Sequence, residues 1–200
     1  EVSGSAQGLS FTGGAPFALA FWVQRQGSGT ILSKWSETAG DLKEFKLEMT
    51  TDGYLRLVNQ SGDAVVSSTA LPTSGWTHVT VSYDGTNATF LLNGVLAGSQ
   101  TWANPSTTGT RVPMYVGATL TASGMGEFFA GRLDEVLIFN RSLEATEVAE
   151  RIMAARYNVN DQFVRPGEFI EFMSTVTNLL NNRFGYGLLS NQIEPLEAVV

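Results

Sequence analysis

Apolar and polar residues alternate with a period of two through most of this 200-residue chain, the repeat of a strand whose two faces meet different surroundings. In "THVTVSYD" the residues Val79, Val81 and Tyr83 alternate with His78, Thr80 and Ser82. "PFALAFWVQ" places Phe17, Leu19, Phe21 and Val23 on one face. The same pattern predicts strands in "TILSKW", "EFKLEMT", "YLRLVNQ", "AVVSSTA", "ATFLL", "PMYVGA" and, from Phe128 onward, "FFAGRLDEVLIFN". Turn signals lie between them: Asp52-Gly53, Ser61 to Asp63, Pro72 to Gly75 and Asp84 to Asn87. Asn93-Gly94 predicts a hairpin, because both residues accept positive φ. About ten short strands with turns every ~8–12 residues indicate an all-β, antiparallel two-sheet sandwich.

One stretch breaks the alternation. "RSLEATEVAERIMAARY" carries Leu143, Val148, Ile152 and Met153 near helical spacing, with Glu144, Glu147 and Glu150 on the polar side. This predicts one short helix after the last strand, from about Leu143 to Ala155 and capped by Ser142, closing one end of the sandwich. From Tyr157 the pattern is ambiguous. Phe169, Phe172, Met173, Val176, Leu179 and Leu180 fit an amphipathic helix, while Ile170, Phe172 and Val176 also fit a strand. "STVT" and the turn Pro166-Gly167 favour strand. The chain therefore divides into a sandwich over residues 1–156 and a second segment over 157–200.

Composition narrows the function. No window approaches 18 consecutive apolar residues, so no membrane span is expected. The opening "EVSGSAQG" has neither the basic nor the apolar region of a signal peptide. A net charge of −7 with only 12 scattered basic residues argues against nucleic acid as a partner. The absence of cysteine excludes disulfides, thiolate nucleophiles and cysteine-ligated zinc. The single histidine, His78, lies in a strand pattern. Ser82 and Asp84 are near it in sequence, but neither sits in a nucleophile elbow, so His78 reads as part of a sheet. The sequons at Asn59, Asn87 and Asn140 are of a kind that arises by chance in a Ser/Thr-rich chain.

Two long loops carry tryptophan, "SKWSETAGDLKEF" and "SQTWANPSTTGTR". Loops are where binding residues tend to lie, and tryptophan can stack on a sugar. Trp35 and Asp41 in the first loop and Trp102 in the second are the candidate ligand-binding residues. Either tryptophan could equally be a core residue whose indole N–H meets a carbonyl.

The order "FALAFWVQ", "ILSKW", "FKLEMTTDGYLRL", "GWTHVTVSYDGTNATFLLNGVLAGS", "MYVGA", "FFAGRLDEVLIFNRSLEATEV" resembles the laminin-G-like jelly roll of the concanavalin A-like lectin/glucanase superfamily, over about residues 8–153. The resemblance implies a jelly roll of two antiparallel sheets, one of them concave. It also implies a structural calcium ion on Asp134 and on backbone carbonyls of Thr12 to Ala15, with Gly13 among them. Calcium takes about six to eight hard oxygens, so one carboxylate with carbonyls and water can suffice. Family members often add an Asp or Asn in that loop, which this chain lacks. Hydrolases on this fold use facing acids, commonly from E-x-D-x-x-E. The nearest stretches here are Glu44 with Glu48, which would share a face, and Asp134 with Glu135. Neither reproduces that pattern, so no catalytic residues and no carboxylate pair across the sheet are expected. "RPGEFIEFMSTVTNLLNNRFGYGLL" is similar to the start of an Ig-like repeat of large bacterial surface proteins.

These readings combine into a non-catalytic module of a larger extracellular or cell-surface protein. It would bind carbohydrate or protein, or act as an adhesin-type spacer between flanking domains. Self-association through residues 160–200, by adding strands to a neighbouring chain, is the second reading. A glucanase-like enzyme is the third.

Overall fold

The computed structural model describes residues 9–38, 42–103 and 112–149. Twelve strands and one helix follow one another: β1 (Phe17–Arg25), β2 (Gly29–Trp35), β3 (Lys43–Met49), β4 (Leu55–Asn59), β5 (Ala64–Val66), β6 (Thr77–Tyr83), β7 (Asn87–Leu92), β8 (Val95–Thr101), β9 (Tyr115–Val116), β10 (Thr119–Thr121), β11 (Gly124–Gly126), β12 (Gly131–Phe139) and α1 (Ala145–Glu147). They form two five-stranded sheets, β12-β1-β6-β7-β8 and β5-β4-β3-β2-β9, with β10-β11 as a separate hairpin. Neighbouring strands in both sheets are antiparallel. The predicted all-β jelly-roll sandwich is the observed one.

The alternation has its expected consequence. Phe17, Leu19, Phe21 and Val23 of β1 and Val79, Val81 and Tyr83 of β6 face Phe45, Leu47 and Met49 of β3 and Leu55 and Leu57 of β4 in one buried cluster. Asn93 and Gly94 both have positive φ, 49° and 77°, at the β7–β8 hairpin, as an Asn-Gly turn requires.

The opposite face of the first sheet is also covered. Ala18, Ala20, His78 and Thr80 are each at most 1% exposed. Leu143 and Val148 pack there on Ala18 and Leu91. His78 stands edge-on to Trp22, with ring centroids 5.2 Å apart. The sole histidine is thus enclosed within the sheet.

Two boundaries differ from expectation. The helix begins at Ala145 with Glu144 at its N-cap, and Ser142 does not cap it. The backbone N–H of Leu143 instead donates to Ser82 Oγ at 2.8 Å, which ties residue 143 to the sheet ahead of the first turn. The part of the predicted helix from residue 150 onward lies outside the described residues, as does everything expected of 157–200. The last long strand begins at Gly131 rather than Phe128. Residues 127–130 bond elsewhere: Thr30 N–H donates to Glu127 O, Phe129 N–H to Gly117 O and Ala130 N–H to Ser28 O. This segment crosses from one sheet to the other before pairing with β1 begins.

Candidate functional site

With Phe45, Leu47 and Met49 of β3 turned inward, period-two geometry turns Lys46 and Glu48 to the outer surface of the second sheet. Register places Glu48 opposite Arg56 of β4 and Lys46 opposite Ser33 of β2. Arg56 Nη1 donates to Glu48 Oε2 at 2.7 Å. Lys46 Nζ reaches Glu48 Oε1 and Glu127 Oε2, both at 2.7 Å. Thr30 Oγ1 donates to the same Glu127 oxygen at 3.1 Å. A continuous polar chain therefore runs Thr30, Glu127, Lys46, Glu48, Arg56, with two cations balancing two carboxylates.

Burial alone would pull the Lys46 ammonium pKa down, but its hydrogen bonds to Glu127 and Glu48 outweigh this and hold it above the usual lysine value. Burial would raise Glu127, but the Lys46 bond prevails and its carboxyl lies below the usual range. Both groups are held charged.

Glu127 adopts φ 50°, a left-handed conformation that costs a non-glycine residue roughly 1–3 kcal/mol and that clusters at functional sites. Its consequence is visible in the next residue. While the Glu127 carboxylate reaches Lys46, Phe128 is left 66% exposed. The neighbouring Phe129 turns the other way and packs against the core. A groove of ≈ 470 Å³ opens beside Phe128, lined among others by Gly29, Thr30, Glu48, Thr50, Arg56 and Glu127. An open aromatic face beside a few fixed polar groups is the composition of a small-molecule site.

Glu48 and Glu127 are the two carboxylates that this network brings together. Because Glu48 and Glu127 share one ammonium nitrogen at 2.7 Å, their bonded oxygens lie no farther apart than twice that length. They belong to one ion-paired network about a shared ammonium, which is a different geometry from two acids facing one another across a concave sheet as in glycosidases. The chemistry differs in kind. A glycosidase needs one carboxyl held protonated, whereas Glu127 is shifted the opposite way and a lysine occupies the space between the pair.

The residues singled out from the sequence are distributed differently. Trp35 is 6% exposed, and the ammonium groups of Lys43 and Lys46 each lie 5.2 Å from its ring centroid. It backs the charged network and presents no open face. Trp102 is 2% exposed, edge-on to Tyr83 at 5.1 Å and to Phe17 at 6.3 Å. It is a core residue, which corrects its reading as a ligand platform. Its loop position misled because the chain enters the core there. Asp41 lies outside the described residues. Glu44 and Glu48 diverge: Glu44 is 1% exposed, accepts from Ser10 Oγ at 2.9 Å and lies 3.7 Å from the buried ammonium of Lys34.

The residues suggested for calcium are not brought together. Gly13 lies in the turn before β1, where the Ala15 N–H donates to Thr12 O. Asp134 stands opposite Trp22, five residues along the strand from Phe17, or about 17 Å at ~3.3 Å per residue. Asp134 Oδ1 already accepts the Glu135 N–H at 2.9 Å. Asp134 and Gly13 therefore do not fit a common ion. Among the described residues no group of three His, Cys, Asp or Glu is placed to hold a metal.

A family model described as the concanavalin A-like lectin/glucanases superfamily matches residues 3–149. The chain belongs to that superfamily. Solved structures agree on the fold of this lectin/glucanase-type module. A candidate carbohydrate-binding protein from Bacteroides ovatus aligns with TM-score 0.55 and 18% identity, over 74% of this chain and 42% of that one. The CBM40 of the Ruminococcus gnavus IT-sialidase, bound to α2,3-sialyllactose, aligns with TM-score 0.58 and 15% identity, over 68% and 81%. Domain 4 of an extracellular GH43 arabinanase from Geobacillus stearothermophilus, in complex with arabinotriose, aligns with TM-score 0.52 and 20% identity, over 68% and 65%. At these identities the likeness shows the fold alone, and the chain spans less than half of the Bacteroides ovatus protein. No curated protein matches the sequence.

Sequence reasoning missed Thr30, Lys46, Arg56, Glu127 and Phe128. A signal existed for Lys46 and Arg56, which occupy the outward positions of strands that were predicted. None existed for Glu127 and Phe128, whose placement depends on the crossing at 127–130.

Proposed function

We propose that this superfamily member is a non-catalytic carbohydrate-binding module, with the sugar seated in the groove against Phe128. The observation that carries the reading is the pairing of an open aromatic face with the Thr30–Glu127–Lys46–Glu48–Arg56 chain on the outer surface of the second sheet. Phe128 offers an apolar surface to the C–H face of a pyranose, and the fixed carboxylates and guanidinium offer hydrogen bonds to its hydroxyls. Carbohydrate ligands in two neighbours of the same fold support the choice of ligand class.

Binding without cleavage follows from the charge states. Lys46 holds the Glu127 carboxyl below its usual range, as an anion with no proton to give a leaving group. Among the described residues no helix is long and apolar enough to cross a membrane. A place outside the cell, within a longer chain, suits a module that meets glycans, and the arabinanase neighbour is itself extracellular.

Calorimetric titration of the chain against neutral and acidic oligosaccharides tests this. Saturable heats that vanish in Phe128→Ala and Arg56→Ala, with no reducing ends released on long incubation, are expected. Sugar binding that survives both substitutions would place the site elsewhere.

A further inference from the structure

Resting on the carbohydrate-binding reading, we infer that the groove selects neutral glycans and rejects sugars bearing a carboxylate or sulfate. Recognition of an acidic sugar calls for a cation not already satisfied, ideally an arginine whose guanidinium can grip the acid in bidentate fashion. Lys46 and Arg56 each already engage a carboxylate, Arg56 through Nη1 alone and with its side chain 38% exposed. Lys46 lies between Glu48 and Glu127, and Arg56 is held to Glu48, each contact at 2.7 Å. An incoming carboxylate would have to displace one of these partners or approach beside it.

The approach itself is unfavourable. Glu127 retains 42% side-chain exposure and Glu48 19%, so the part of the network open to a ligand includes acceptor oxygens carrying negative charge. Hydroxyl groups of a neutral sugar donate to such oxygens. A carboxylate can only accept, and at the two glutamates it meets like charge. The chain as a whole carries −7, which disfavours the encounter of anions at low salt. Phe128 adds an apolar contact that a pyranose face can use, with no charge for an acid group to meet. The network therefore works as a filter as well as a grip.

The test pairs glycans that differ in charge: lactose against α2,3-sialyllactose, and tetragalactose or cellotetraose against tetragalacturonate, each titrated into the full chain and into Glu127→Gln. The expected result is binding to at least one neutral member, with its acidic partner at least tenfold weaker. Glu127→Gln removes one negative charge while keeping an acceptor, and it should narrow that gap at least threefold. Acidic members bound as tightly as neutral ones, through a site that Phe128→Ala abolishes, would overturn the selectivity and leave the carbohydrate reading standing. Failure of every glycan to bind would overturn both.

Discussion

The carbonyl of Phe128 occupies the space where a side chain on Gly29 would begin, and Gly29 itself sits at φ 130°. This contact brings the start of β2 and the crossing segment 127–130 close enough for the Thr30 N–H to reach Glu127 O at 2.8 Å. The site is therefore set by a close backbone approach that only glycine permits.

Gly29→Ala should be strongly destabilising. It combines a backbone angle that L-residues avoid with a clash against main chain that has nowhere to move, together at least about 2 kcal/mol. The urea midpoint measures the loss. Ligand affinity should fall further than stability accounts for, because segment 127–130 carries both Glu127 and Phe128.

Phe128→Ala separates binding from folding. An exposed side chain contributes little to stability, so the unfolding free energy should stay within about 0.5 kcal/mol. Sugar affinity should fall about tenfold or more, equivalent to ~1.4 kcal/mol. Unchanged affinity would remove Phe128 from the site.

Trp102→Ala should behave in the opposite way. Its ring is enclosed by Phe17 and Tyr83, and emptying that volume costs about 3–5 kcal/mol. Thermal unfolding should show the loss, while any molecules that remain folded keep their ligand affinity.

Lys46→Met leaves Glu48 and Glu127 facing each other without their shared cation. For a fully buried pair such a change costs about 3–5 kcal/mol. Partial exposure of Glu127 reduces this to about 1–3 kcal/mol. The pH dependence follows from the direction of each shift. Glu127 is depressed in the folded state, so its contribution is present above the ordinary value of 4.5 and is lost as pH falls through its lower folded value. Lys46 is raised, so its contribution is complete below 10.5 and is lost as pH rises through its higher folded value. The stability gap between the native protein and Lys46→Met should therefore be flat near neutrality and close at both extremes, as read from urea midpoints across pH.

The sandwich was legible because its cause is local. Alternation in Phe17 to Val23 and in Val79 to Tyr83 requires no knowledge of the partner strand, and Asn93-Gly94 states its own turn. The site was only half legible. Lys46, Glu48 and Arg56 stand on outward positions that the same alternation marks, yet charged residues on strands are ordinarily solvated surface. Glu127 and Phe128 follow the β10–β11 hairpin, which no alternation announced, and the run from Phe128 to Asn140 reads as one strand until Gly117 and Ser28 are seen to capture its first residues. Trp102 misled for a related reason: position in a long loop says where the backbone goes, not where an indole ring turns.

The most direct test is to map a bound glycan onto the isotopically labelled chain by amide chemical-shift perturbation. With a neutral oligosaccharide, the largest shifts should fall on Gly29, Thr30, Glu48, Arg56 and Phe128, while amides on the covered face, such as Ala20, Trp22 and His78, stay still. Shifts centred on that covered face, or on neither face at saturating sugar, would contradict the assignment of this groove as the binding site.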